Sequence, residues 1–217
     1  RMLMKKGCIL CLLISVISLP LIAQNIIYSN LKELLTQHGD TTAVLRVEKR
    51  SRNQIVLTGG ADYRITAGDD ESMCRRLKKR CFAVRDEKGN LYLNCRKLRY
   101  KKLRFGAWYA PAVQLGKNIY FCAMPLGSVI GGNFVEEDDV KLGGNIGDAL
   151  AASSLVTKRV CYELNGETGK VDFLGKDRML QLLKNYPELK QAYLKDDSQE
   201  AKHTFKYLLE LQNKQKK

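Results

Sequence analysis

Histidine is almost absent from the sequence, and with it the residue that most often carries acid–base catalysis. Only His38 and His203 occur in the 217 residues, and both lie far from any cysteine along the chain. No local nucleophile signature surrounds Cys122 or Cys161, and nothing singles out a carboxylate pair among the 23 acidic residues. The sequence therefore names no catalytic residue and favours a non-enzymatic protein.

The motifs of metal and cofactor sites are missing as well. After residue 23 the cysteines never form C-x-x-C, and neither H-E-x-x-H nor H-x-x-x-H occurs. The acidic run at 136–139 lacks the D-x-[DN]-x-[DN]-G pattern of a calcium loop. Residues 143–147 are rich in glycine but match neither G-x-G-x-x-G nor a P-loop, so a close-packed Gly/Ala segment is favoured over a phosphate-binding loop. We predict no metal and no cofactor.

Long apolar runs are also scarce, and the one that exists lies at the start of the chain. Lys5 and Lys6 precede an apolar run from Cys8 to Leu19, and residues 20–23 end it with a small residue, which is the order of a secretory signal. We predict a signal peptide over residues 1–23 and export to the periplasm or cell surface. Retention as an uncleaved anchor is the alternative, because Leu21 occupies the position where cleavage prefers a smaller residue.

Cysteine usage after residue 23 fits an oxidising compartment but not a disulfide scaffold. The odd number of cysteines leaves at least one thiol unpaired. Cys81 and Cys95 lie at equal distances from the centre of a hairpin signal at 86–90, so they are the most plausible cross-strand pair, while the pairing as a whole stays open. The five residues are Cys74, Cys81, Cys95, Cys122 and Cys161.

Positive charge is concentrated in one segment. The chain carries a formal net charge of +14. Residues 74–104 hold 13 Lys and Arg against Asp86 and Glu87, and the rest of the chain after residue 23 is neutral. Such clustering attracts phosphate, sulfate or anionic headgroups. The alternatives are a solvated face and internal pairing with the acidic run at 136–139.

The candidate ligand-binding residues are therefore the cations of this segment. An anionic envelope component, such as lipopolysaccharide phosphate, a sulfated glycan or a membrane surface, is the expected partner. Nucleic acid is less plausible for an exported protein. The candidates are Arg75, Arg76, Lys78, Lys79, Lys97, Arg99, Lys101, Lys102 and Arg104.

Hydrophobic periodicity predicts an α+β fold. Residues 29–38 and 69–81 have helical patterns, and three further helical patterns lie between residue 179 and the C-terminus. Alternating or continuously apolar runs predict strands, with Trp108 packed among the central ones; the runs are 43–48, 54–58, 63–66, 81–84, 91–95, 96–105, 107–115, 119–125, 158–164 and 170–174. We expect one domain over residues 24–217, with a mostly antiparallel sheet of six to eight strands, a short N-terminal helix and C-terminal helices.

The C-terminal half resembles a known family. The features that carry the resemblance are the Gly/Ala-rich stretch 143–152, the hairpin of 160–165 and 167–170, and the helix starts at 179–183 and 186–189. Together with a leader that ends Ile22-Ala23-Gln24, they resemble a family of exported Bacteroidetes proteins of unknown function. The resemblance implies a location in the periplasm or at the cell surface, and it assigns no functional residues.

The favoured interpretation is an exported, non-enzymatic protein that binds an anionic envelope ligand through residues 75–104. Two alternatives remain. One is an envelope enzyme with an unrecognised site, using Cys122, Cys161 or an acid pair. The other is a structural or assembly protein that docks through the Gly/Ala-rich segment 126–156.

Overall fold

The computed structural model describes residues 24–42, 44–51, 53–55, 60–101, 103–124, 159–196 and 201–216. The predicted signal peptide, the acidic run at 136–139 and the Gly/Ala-rich segment 126–156 lie outside these residues. Among the helices that are described, none is both long enough and apolar enough to cross a membrane.

The described part of the chain contains twelve strands and five α-helices, besides the helical residues 53–55 and a 3₁₀ turn. The strands are β1 Asn25–Tyr28, β2 Asp40–Thr42, β3 Arg46–Lys49, β4 Tyr63–Thr66, β5 Ala83–Arg85, β6 Leu91–Asn94, β7 Arg99–Tyr100, β8 Leu103–Arg104, β9 Tyr109–Leu115, β10 Asn118–Ala123, β11 Val160–Leu164 and β12 Val171–Phe173. The helices are α1 Leu31–Thr36, α2 Glu71–Lys79, α3 Lys176–Leu182, α4 Pro187–Lys195 and α5 Ala201–Gln215.

Ten of the strands form one antiparallel sheet. The order of strands along its main path is β12-β11-β10-β9-β6-β5-β1-β2. In addition, β3 pairs with β4, and β4 pairs with β9. The remaining two strands, β7 and β8, form a small hairpin of their own. The α+β prediction with N-terminal and C-terminal helices is confirmed, and the sheet has more strands than the six to eight expected.

The two faces of the sheet are covered by different elements. On β9, Ala110 and Ala112 point to a core that also contains Leu98, Tyr100, Leu103 and Phe105 of the β7–β8 region and Leu34 of α1. We call this side the hairpin face. Tyr109, Val113 and Leu115 point the other way, to cores shared with α2 and β4 on one half and with α3, α4 and α5 on the other. We call this side the helix face.

The first strand was not predicted. Asn25–Tyr28 lies between β2 and β5, and Ile27 and Tyr28 are both completely buried. Because they face opposite sides of the sheet, the strand lacks the apolar–polar alternation that marks a half-buried strand. The chain therefore enters the sheet almost directly after the predicted cleavage site.

Two strand predictions were wrong where they could be checked. Residues 53–55 are helical rather than extended, and 56–59 lie outside the described residues. The predicted strand 96–105 is instead a 3₁₀ turn at Cys95–Lys97 followed by the β7–β8 hairpin. The side chain of Asn94 accepts a hydrogen bond from the Arg96 amide at 3.1 Å, and Lys101 reverses the chain with a φ of 52°. A tight hairpin with buried Leu98, Tyr100, Leu103 and Phe105 thus imitates the alternation of one strand.

The disulfide lies elsewhere than expected. Cys122 on β10 is paired directly with Cys161 on β11, and their sulfurs are bonded. Cys74, Cys81 and Cys95 are free thiols. The β5–β6 ladder ends at Ala83 and Leu93, beyond which Cys81 turns to the helix face and Cys95 to the hairpin face. The register that suggested a Cys81–Cys95 bond therefore does not continue as far as the two sulfurs.

Candidate functional site: a basic cleft

The β7–β8 hairpin is held against the sheet by aromatic packing. The ring centroid of Tyr162 on β11 lies 5.5 Å from that of Tyr100 and 4.7 Å from that of Phe105. Tyr100, Phe105 and Tyr162 are each at most 3% exposed. Because alternate residues of a short strand point to opposite sides, this anchoring directs Arg99 away from the core, where it is exposed.

A cleft of about 380 Å³ lies between this hairpin and the turn that joins β11 to β12. Lys97, Arg99 and Lys101 line one side of it, and Lys170 lines the other. Leu98 and Val171 add apolar surface, Gly169 contributes the turn, and Asp172 is the one acid in the lining. We call this the basic cleft.

The charges around the basic cleft are weakly compensated. Arg99 stands directly opposite Arg104 across the β7–β8 ladder, and both are exposed. Like charges in that position destabilise a hairpin. In the part of the chain that the structure describes, Lys97, Arg99, Arg104 and Lys170 form no ion pair. The ammonium of Lys101 lies 5.6 Å from the centroid of the Tyr100 ring. The site is thus a concave surface with a clear excess of positive charge.

The candidate residues on α2 lie on the other side of the sheet. Asp70 caps α2 by accepting a hydrogen bond from the Met73 amide at 2.9 Å, and Leu77 packs on the helix face. Arg75, Lys78 and Lys79 are exposed, and Arg76 pairs with the carboxylate of Asp40.

The structure therefore divides the nine candidates. Lys97, Arg99 and Lys101 come together in the cleft, and Arg104 lies beside Arg99. The four α2 residues are separated from them by the sheet, and Lys102 lies outside the described residues. Sequence reasoning missed Lys170, because a single lysine after the hairpin turn at 165–169 carries no signal until strand order places that turn beside β7.

Trp108 lies outside the position expected for it. It is only partly buried and lies just before β9. Its φ of 78° costs a bulky residue on the order of 1–3 kcal/mol. The conformation is held from both sides: the Cys95 amide donates to the Trp108 carbonyl at 2.9 Å, and the Ala61 amide donates to the Ala107 carbonyl at 2.9 Å. As a result the indole lies beside α2 and β4 instead of between the central strands.

A buried carboxylate ties α3 to the sheet. Glu163 is 9% exposed and receives hydrogen bonds from Arg178 Nε and Nη2 at 2.8 Å, from the Tyr120 hydroxyl at 2.9 Å and from the Asn118 amide at 2.6 Å. Burial opposes its ionisation, but these donors outweigh burial and lower the pKa of Glu163. Both of its oxygens accept hydrogen bonds from side chains of the protein, which indicates a structural role for this network.

Four of the five cysteines after residue 23 offer little for catalysis. Burial raises the pKa of Cys81 to about 11 and that of Cys95 to about 12, so both are thiols near neutral pH and poor nucleophiles. Cys122 and Cys161 are bonded to each other. Among the described residues, no group of three or more His, Cys, Asp or Glu is placed to hold a metal ion.

Comparison with models of protein families identifies the family of this chain. The model of a family of unknown function, DUF6563, matches residues 26–215. The chain belongs to this family. The DUF6563 match begins within β1 and ends with the last residue of α5, so the sheet, the basic cleft and the disulfide all lie inside it. No curated protein and no solved structure matches the chain.

Proposed function

We propose that this DUF6563 protein is an exported, non-enzymatic binding protein that holds a phosphate- or sulfate-bearing ligand of the cell envelope in the basic cleft. The observation that carries the proposal is the convergence of Lys170 with Lys97, Arg99 and Lys101 around one concavity. A solvated basic face would not require a cation from a distant hairpin at the same point.

The lining suits a tetrahedral oxyanion. A guanidinium offers paired donors that match phosphate or sulfate oxygens, and ammonium groups act as compact point charges around it. The cross-strand repulsion between Arg99 and Arg104 would be relieved by an anion beside them. Leu98 and Val171 provide apolar contact for the body of the ligand.

The expected affinity points to a multivalent partner. Each Lys or Arg near an anionic surface contributes about 1 kcal/mol, so four give about 4 kcal/mol, or a Kd of roughly 1 mM for one isolated group. Useful binding then requires many anionic groups on one surface, as in lipopolysaccharide, a sulfated glycan or an anionic membrane.

Export is supported by two independent features. Residues 1–23 have the pattern of a secretory signal, and the Cys122–Cys161 disulfide is of a kind that persists in oxidising compartments. The resemblance to exported Bacteroidetes proteins agrees with this location. We infer that the protein works in the periplasm or at the cell surface.

The test is a salt titration with two matched variants of the chain from Gln24. The cleft variant is Lys97→Gln, Arg99→Gln, Lys170→Gln; the α2 variant is Arg75→Gln, Lys79→Gln, Arg80→Gln and removes the same charge from the helix face. Lys101 is kept because of its positive φ, and Arg76 because it pairs with Asp40. Binding to lipopolysaccharide, anionic liposomes, a sulfated polysaccharide and single-stranded DNA is measured by cosedimentation or interferometry.

We expect binding to an envelope polyanion that falls steeply with salt, weakens at least tenfold in the cleft variant and changes less than twofold in the α2 variant. Equal losses in both variants would mean that only net charge matters. Loss in the α2 variant alone would move the site to the other face of the sheet. Preferred binding to DNA would overturn the proposed partner. Circular dichroism melts confirm that both variants are folded.

A further inference from the structure

A second cluster of cations surrounds Trp108. The guanidinium carbon of Arg64 lies 5.5 Å from the centroid of the indole, that of Arg50 lies 5.8 Å away, and the Lys78 ammonium lies 5.8 Å away. Trp108 is the one tryptophan of the chain. The three cations come from separate parts of the fold: Arg50 follows β3, Arg64 lies on β4 and Lys78 lies on α2.

Only one of these cations has an evident structural task. Arg50 is 8% exposed and donates to the carbonyls of Ala61 at 2.7 Å and Gln54 at 3.0 Å. Arg64 and Lys78 are exposed, and in the described part of the chain neither forms a hydrogen bond or ion pair through its side chain. Their shared contact is the indole.

Within the described ranges, the nearby acids form no ion pair with the two exposed cations. Glu48 stands directly opposite Arg64 across the β3–β4 ladder, but their side chains are not paired. Asp62 precedes β4, but its carboxylate is engaged by Arg159, with the Nη2 atom at 2.6 Å and the Nε atom at 2.8 Å. Trp108 is therefore an aromatic side chain in contact with two solvent-accessible cations that form no ion pair with any described residue, and it is held in place by a backbone conformation that tryptophan rarely adopts.

We propose that Trp108, Arg64 and Lys78 form a second binding site, for an acidic sugar residue of a glycan. Arg64 and Lys78 lie over the indole, and because both side chains are exposed they can move to its margin, which opens an apolar surface for the C–H face of a pyranose ring. The guanidinium and ammonium at its margin bind the carboxylate or sulfate of the same sugar. This site stands apart from the basic cleft, which lies across the sheet.

A sugar fits these observations better than a nucleic acid strand. Proteins that bind single strands use several aromatic platforms along a basic groove, each stacking one base. Here one indole is flanked by cations, and the neighbouring Tyr63 is packed edge-on against Tyr92, with ring centroids 5.2 Å apart. One platform with two cations accommodates one ring that carries one acidic group.

The single tryptophan makes the test direct, because its fluorescence reports this site alone. The chain from Gln24 is titrated with a heparin hexasaccharide, with neutral maltohexaose and with a single-stranded DNA hexamer. We expect a saturable change in emission with the heparin hexasaccharide only. The Arg64→Gln, Lys78→Gln variant raises its Kd at least tenfold, and the cleft variant Lys97→Gln, Arg99→Gln, Lys170→Gln shifts it less than twofold.

Several outcomes would overturn the proposal: no change in emission, an equal change with maltohexaose, tighter binding of the DNA hexamer, or an unaltered Kd in the Arg64→Gln, Lys78→Gln variant. Quenching gives a second readout that needs no glycan. Iodide should quench Trp108 at least twofold less efficiently in that variant, while quenching by neutral acrylamide stays the same. If both quenchers behave alike, the two cations do not attract anions to the indole.

Discussion

At the scale of single residues, Glu163 gives the clearest prediction about the stability of the fold. It is a carboxylate at 9% exposure, and its hydrogen-bond partners come from β10 and α3. These hydrogen bonds stabilise its charged form only in the folded protein. Its guanidinium partner is different, since the side chain of Arg178 is 42% exposed and partly solvated. The pair is therefore worth less than a fully buried ion pair, for which loss of one partner costs 3–5 kcal/mol.

We expect Glu163→Gln to lower the free energy of unfolding at pH 7 by about 2 kcal/mol, because charge-assisted hydrogen bonds are replaced by weaker ones. Urea denaturation measures the change. The control is Glu167→Gln, which removes an exposed partner of Lys117 and should have no measurable effect. A neutral result for Glu163→Gln would show that the network is not formed in solution.

The same residue predicts a pH dependence. The pKa of Glu163 is lower in the folded protein than in the unfolded chain, where it is about 4.3. Its contribution is therefore fully present above about pH 4.3 and is lost as the pH falls through the folded pKa. The stability difference between the wild type and Glu163→Gln should shrink as the pH falls below about 4.3, and a constant difference would contradict the shift.

At the scale of elements, hairpins with glycine in the turn were predictable from sequence. Gly89 and Gly169 have φ values of 82° and 68°, which only glycine adopts without strain, so the turns at 86–90 and 165–169 are marked locally. The β7–β8 hairpin has no such mark, because Lys101 takes the positive φ instead. β1 was not predicted for a different reason. Its burial on both faces removes the apolar–polar alternation that identifies a half-buried strand.

The disulfide is the element-scale feature with the largest expected energy. It joins β10 to β11 and closes a loop with a sequence separation of 39, for which the chain-entropy model gives about 4 kcal/mol. We expect reduction, or the Cys122→Ala, Cys161→Ala variant, to lower the free energy of unfolding by roughly that amount in a guanidinium titration.

Thiol counting checks the pairing itself. The unfolded chain from Gln24 should show three reactive thiols before reduction and five after it, because Cys74, Cys81 and Cys95 are free. Five thiols before reduction, or a bond that survives in the Cys122→Ala, Cys161→Ala variant, would contradict the assignment.

At the scale of the whole molecule, the location of the positive charges in the fold could not be predicted from their positions in the sequence. The 13 cations between residues 74 and 104 form one continuous segment of the sequence. Within that segment, however, the chain passes from α2 on the helix face to the β7–β8 hairpin on the hairpin face. Lys170 joins the cleft only because β12 is the edge strand nearest to β7. Both facts depend on strand order, which local patterns do not encode.

The overall charge predicts how stability responds to salt. After residue 23 the chain has an excess of 11 positive charges, which repel one another in the compact state. Raising NaCl from 0.01 M to 0.1 M shortens the Debye length from about 30 Å to about 10 Å. If the weaker repulsion raises the free energy of unfolding by about 1 kcal/mol, the Tm rises by about 2–4 °C. Calorimetry should show a smaller rise for the cleft variant, and a flat response would contradict the expectation.

The pairing of Ala123 with Val160 has a further consequence when it is taken together with the disulfide beside it. The chain leaves the sheet and returns to it at the same point, one residue beyond a covalent link between the two strands. A protease that cut anywhere between these positions would leave both pieces joined as one molecule, with every strand pairing described here intact. Under oxidising conditions, covalent continuity of the protein therefore does not depend on continuity of its backbone.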